Sequence, residues 1–460
     1  MSVAPHTVSS PLRRRLLGAA AATGVLSMLE RQLALAQSAP DYKALVCVYL
    51  QGGNDGENTL IRYDTAGYQN YASIRPVASG INIPRASLLP IQPSNVGFPY
   101  GFHPACPALK TLFDGGKLAV IANMGALVEP VTRSALSGGT ARLPGNLFSH
   151  SDQELAIQSA DSTGVSHVGW GGRIADRLDP YNPGSLFPPL ISTGGLHTFA
   201  SGLASVPLIL PESGANLKLS TCCAESALEE AALRLMMARS RSNVYEAAVA
   251  LYAQEGLSAS SVLSPIFGPD TTPSSLVTQA FGNLSDHVAN QLRTIAQLIE
   301  QRQQTGLKRQ VFYVHQFGYD THGGQPGIQQ QLLGDFSSGV GAFCSAMKAL
   351  GLESNVTVFT LSDFGRTFNP ASNQGTDHGW GNYAFVAGGA VKGGRFYGTL
   401  PTLALDGPDD FSGAGRWIPT TSVEQYGATL GRWFGMAEGD LPYVFPNIGA
   451  FPNTNLGFMG

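Results

Sequence analysis

The chain has 460 residues, a formal net charge of −4 and only 13% charged residues, with 55 glycines and 29 prolines. This is the composition of a compact domain with many ordered loops, not of a disordered chain. No basic stripe appears anywhere, which argues against a nucleic acid as partner.

Residues 1–36 stand apart from the fold. Arg13, Arg14 and Arg15 form a positive region ahead of an Ala-rich apolar run from Leu16 to Leu29. That run is shorter than the roughly 20 residues that span a bilayer. Ala34-Leu35-Ala36 offers a cleavage site before Gln37, although Glu30 and Arg31 interrupt the run, and an uncleaved signal is the alternative. An arginine pair beside a mild apolar region points to twin-arginine export, with the translocase as partner and a periplasmic or extracellular destination. The segment carries four arginines against Glu30, so the rest of the chain is near −7. It reads as one α/β domain over residues 37–460 with no further apolar run long enough to cross a membrane.

In chain order, the strand signals are apolar runs at 44–50, 118–123, 311–315, 356–361 and 383–387. Helical periodicity appears at 104–113, at 286–304 (Val288, Leu292, Ile295, Leu298, Ile299) and at 331–350 (Leu333, Phe336, Val340, Phe343, Met347, Leu350). Buried strands alternating with amphipathic helices imply a three-layer α/β/α fold with a mostly parallel sheet. Residues 160–285, with a helical stretch at 224–254, read as an insertion or cap. Five cysteines without regular spacing are no disulfide framework. Cys47 and Cys344 fall in apolar patterns and read as core thiols, while one bond from Cys106 to Cys222 or Cys223 stays open.

Ligands of such sheets bind beyond the carboxyl ends of the strands, and there the polar residues gather. Asp55 follows the first strand in QGGNDGENT, Asp320 and His322 follow the 311 strand in FGYDTHGG, and Asp363 and Arg366 follow the 356 strand in SDFGRT. Asp377 and His378 precede the 383 strand in GTDHGWGN, and Ser149 opens a helix in SHSDQE. Carboxylates crowded at one edge repel unless a cation sits among them. Aspartate with histidine suits zinc or manganese, and carboxylates also accept magnesium or calcium. Taken singly each has a plainer role: an Asx-turn for Asp55, a helix cap for Ser149, a salt bridge for Arg366. His103, His167, His197 and His287 stand outside these clusters and read as structural or exposed.

On the stretches LQGGNDGENTL, GFHPACPALKTLFDGGKLAVI, FSHSDQ, GYDTHGGQ, SDFGRTFN and GTDHGWGNYAFVAGGAVKGGRFYG, the sequence resembles a twin-arginine-exported bacterial family known as domain of unknown function 1501. That family distantly resembles the alkaline phosphatase and sulfatase superfamily. The resemblance implies an alkaline-phosphatase-like fold, a site for one or two divalent ions, and a Ser or Thr nucleophile at a helix start. By it Asp55, Asp320, His322, Asp363, Asp377 and His378 would bind metal, Ser149 or else Thr59 would be the nucleophile, and Arg366 would clamp the substrate oxygens. Two departures stand out: Asp-x-x-x-His appears as Asp320-Thr321-His322, and an expected Asp-His pair reads Asp363-Phe364. The implied activity is hydrolysis of a small phosphate or sulfate ester. The alternatives are a non-catalytic protein of the same fold and, more weakly, a carbohydrate-binding protein using Trp and Tyr of the glycine-rich loops.

Overall fold

The computed structural model describes residues 42–460 apart from 165, 179, 184, 186, 213–226, 240–241 and 268–274. The segment 1–36 and Cys222-Cys223 lie outside the described residues. Nine strands form the main sheet: β1 (Lys43–Leu50), β2 (Leu118–Gly125), β3 (Leu190–Ser192), β4 (Leu208–Ile209), β5 (Arg309–Gln316), β6 (Val356–Ser362), β7 (Asn382–Ala387), β8 (Arg395–Tyr397) and β9 (Thr421–Ser422). Their order is β8-β2-β7-β6-β1-β5-β3-β4, with β9 beside β2. All pairings are parallel except those of β7, which runs against both β2 and β6.

β1 shows why the sheet is buried on both faces. Ala44, Val46, Val48 and Leu50 point into one core, and Leu45, Cys47 and Tyr49 into the other. The first core is closed by α1 (Pro107–Asp114), α3 (His287–Glu300) and α4 (Gln325–Ala349). The second is closed by α2 (His150–Ser159) and α5 (Val423–Phe434). Each fully buried aliphatic side chain contributes about 1.5–3 kcal/mol, so a run such as ALVCVYL gains most where both faces are covered, as β1 is in the middle of this sheet. Asp286 caps α3 by accepting a hydrogen bond from the Ala289 amide at 2.8 Å, and Ser422 with Gln425 forms a capping box on α5. The α/β/α layering expected from periodicity is the architecture observed.

Within residues 160–285, read as an insertion or cap, β3 pairs with β5 and β4 with β3 at one end of the sheet; the helices Ala227–Met237 and Val244–Phe267 follow. The aromatic residues of the glycine-rich loops are not displayed for a sugar: Trp380, Trp417, Tyr319 and Tyr383 are all buried. Cys47, Cys106 and Cys344 are free thiols. Among the described residues no helix is long and apolar enough to cross a membrane.

Candidate metal centre

The sheet register builds the site. Leu50, the last residue of β1, pairs with Gln316 and with Ser362, so β1, β5 and β6 end on one line. The loops carrying Asp320, His322 and Asp363 leave from that edge. Because β7 is antiparallel, the residues that precede it reach the same edge, and His378 joins them. His150 is the first residue of α2, so its side chain enters from above the sheet.

Three donors make a compact triangle. The Nε2 atoms of His150 and His378 are 3.1 Å apart, and each lies 3.3 Å from Asp320 Oδ1. A tetrahedron with metal–nitrogen bonds near 2.0 Å has edges of about 3.3 Å, so these three atoms match one face of it. His322 lies on the far side of the shared edge, its Nε2 3.0 Å from Asp320 Oδ1 and 2.8 Å from His378 Nε2. The side chains of Asp320 and His322 are 45% and 47% exposed, so the fourth position opens to solvent.

The outer contacts decide which nitrogens are free. His378 Nδ1 lies 2.6 Å from the Phe148 carbonyl oxygen, which can only accept, so Nδ1 carries the proton. His150 Nδ1 lies 2.7 Å from Asp363 Oδ2 and donates to it. Both Nε2 lone pairs therefore point into the centre, where a metal ion or a proton can take them up, and the His322 N–H, 2.8 Å away, can also meet that of His378. The hydrogen bond that His150 donates to Asp363 raises the His150 pKa above its ordinary value, opposed by burial. Burial is the main cause lowering that of His378. For Asp320, burial favours the neutral acid, but the hydrogen bond and charge of Arg366 outweigh it and hold the carboxyl below its usual range. Asp377 is held low in the same way, burial being outweighed by the His378 amide and Arg416.

The structure distributes the sequence candidates unevenly. Asp320, His322 and His378 converge. Asp377 sits at the rim, its Oδ1 3.9 Å from His322 Nδ1 and its Oδ2 accepting from Arg416 at 2.8 Å. Asp363 is in contact with the centre but through His150; its other oxygen accepts from the Tyr49 hydroxyl and the Gly52 amide. Asp55 is not brought to the cluster: buried, it accepts from Arg75, Gln325 and the Glu57 amide. The buried Thr59 hydroxyl donates to the Asp55 carbonyl, and the Ser149 hydroxyl to Asp152 at 2.6 Å. Arg366 is turned inward, donating to Asp320, Thr376 and the Gly52 carbonyl, which leaves no open fork for a substrate. His150 is the residue that sequence reasoning passed over, although it stands next to Ser149 in the same motif.

A second grouping, His322, Asp377 and His378, also has metal-ligand spacing. Both groupings use His378, whose one free lone pair serves one ion. The donors therefore fit a single ion. Phe364, where a second nitrogen ligand was expected, packs its ring 4.8 Å from the rings of His150 and His378. Two imidazoles and a carboxylate make a mixed nitrogen and oxygen donor set, unlike the oxygen shells that magnesium and calcium prefer.

No curated protein matches the chain. Solved structures similar to it include the PsFucS1 sulfatase from Pseudoalteromonas sp., 12% identical over 94% of this chain and 73% of that one, TM-score 0.34. Ps i-CgsB is 11% identical over 90% and 77%, TM-score 0.32. Likenesses this distant carry nothing about substrate. Residues 224–440 match the family described as Protein of unknown function (DUF1501), the family its motifs resemble, and Asp320, His322, Asp363 and His378 all lie within the matched stretch.

Proposed function

We propose that the chain is an exported hydrolase of phosphate or sulfate esters that depends on one zinc or manganese ion held by His150, Asp320 and His378. The observation that carries this reading is the donor triangle with both imidazole tautomers fixed for ligation. When bound, the ion supplies Lewis acidity at a solvent-open position. Around it Arg366 fixes Asp320, Asp363 fixes His150, and Phe364 keeps one wall of the site apolar. His322 stands beside the site, 2.8 Å from His378 Nε2, as a polar neighbour of the open position and not as a fourth ligand. With Ser149 and Thr59 engaged elsewhere, water is the nucleophile in this reading rather than a side-chain hydroxyl. The export half rests on the three N-terminal arginines and the apolar run behind them.

A non-catalytic metal-binding role is the second reading. It is favoured by one observation: among the described residues no serine or threonine hydroxyl is hydrogen-bonded to the four donor side chains. Elemental analysis of protein purified without chelators, with a panel of aryl phosphates and aryl sulfates, separates the two. One equivalent of zinc or manganese, lost together with ester hydrolysis in Asp320→Ala, is the expected result. Metal without hydrolysis of any ester turns the reading to binding, and metal-free but folded protein sinks the site.

A further inference from the structure

We propose that Tyr49 is a positioning residue for the metal centre: it anchors Asp363, and Asp363 in turn fixes the tautomer and direction of His150. This rests on the metal reading above and names the residues that tune it. The Tyr49 hydroxyl donates to Asp363 Oδ1 at 2.6 Å across 314 residues of sequence. The Gly52 amide donates to the same oxygen at 3.1 Å, which leaves Oδ2 aimed at His150 Nδ1, 2.7 Å away. Both anchors come from β1 and the loop that leaves it, while His150 comes from α2. The sheet thereby sets the direction of a ligand borne by another element.

Tyr49 cannot touch a substrate. It is 0% exposed, and its ring packs beside those of Tyr313 and His315 on the neighbouring strand, with centroids 6.2 and 6.3 Å away. What its hydroxyl does is hold a carboxylate. Without it, Asp363 keeps one backbone donor on Oδ1 and is free to pivot about it, and His150 Nδ1 loses a fixed acceptor. A ligating histidine depends on that outer contact for its ring orientation, and loss of such a partner typically costs about 10- to 100-fold in metal affinity.

The test compares wild type, Tyr49→Phe and Asp363→Asn. Tyr49→Phe keeps the ring and its packing. Asp363→Asn can present an amide N–H to His150 Nδ1 and so favours the tautomer with its proton on Nε2. Three quantities are read: zinc affinity by competition with a chromophoric chelator, the visible spectrum of the cobalt(II) form, and the melting temperature of the metal-free protein. Tyr49→Phe is expected to bind zinc about tenfold more weakly, with altered cobalt bands, and Asp363→Asn about 100-fold more weakly. A Tyr49→Phe protein with wild-type zinc affinity and cobalt spectrum overturns the proposal, even if its metal-free form melts earlier. Unchanged affinity in Asp363→Asn overturns it equally. If wild type binds neither zinc nor cobalt, the metal reading itself fails, which is a different result.

Discussion

Replacing His378 with alanine tests the centre through stability alone. His378 belongs to both donor groupings and contributes one corner of the His150–Asp320–His378 triangle. Metal that binds only the folded chain stabilises it by RT ln(1 + [M]/Kd), about 2.7 kcal/mol at a hundredfold excess over Kd. Unfolding entropy of about 2.1 cal/mol/K per residue gives roughly 1 kcal/mol/K for a chain of 460 residues. Zinc at that excess should therefore raise the wild-type melting temperature by about 3 °C. In the variant the zinc-dependent rise should nearly vanish. Without metal the two proteins should differ little. His378→Ala loses the hydrogen bond to the Phe148 carbonyl, worth about 1 kcal/mol. It also removes the Nε2 atom that faces His150 at 3.1 Å, and the two effects offset. The assay is differential scanning fluorimetry with EDTA and with a zinc series. A variant that gains as much from zinc as wild type would refute the assignment, because the ion would then lie elsewhere.

Glu424 on α5 supplies a pH prediction remote from the centre. Burial raises its pKa from 4.5 to about 8. A raised acid is fully stabilising below pH 4.5, where both states are protonated, and its contribution is lost as the pH climbs through 8. The cost at pH 7 is about 3 kcal/mol, from 1.36 kcal/mol per unit. Glu424→Gln should match wild type near pH 4.5 and exceed it by about 3–4 kcal/mol at pH 7–8, read by urea unfolding at both pH values. An identical difference at both would show that Glu424 does not titrate in this window. Gly52→Ala tests the backbone beneath the site. Gly52 has φ +111°, and an added Cβ would meet the Asp320 amide nitrogen at 2.3 Å. The substitution should cost about 2–3 kcal/mol and weaken zinc binding by moving Asp320; wild-type urea midpoint and zinc affinity would contradict the geometry.

Much of this was legible from one dimension. The five apolar runs at 44–50, 118–123, 311–315, 356–361 and 383–387 all became main-sheet strands, because a strand covered on both faces tolerates almost no polar side chain. Helix periodicity located α3 and α4 for the matching reason. The rule that ligands gather at strand ends then singled out the loops of Asp320, His322, Asp363 and His378. Local sequence could not tell which carboxylate faces the centre and which faces a partner. Asp55 and Asp320 both follow a strand in a glycine-flanked turn, yet one meets Arg75 and Gln325, residues 20 and 270 positions away, while the other meets three imidazoles. Arg366 reads as a substrate clamp until tertiary packing turns it inward to Asp320. His150 enters from α2 across 228 residues to His378 and 213 to Asp363. Element type follows from burial periodicity, which neighbouring residues carry among themselves. The identity of a ligand set follows from where separate loops meet, and that is decided only by the strand order, the reversed β7 and the packing of α2 on the sheet.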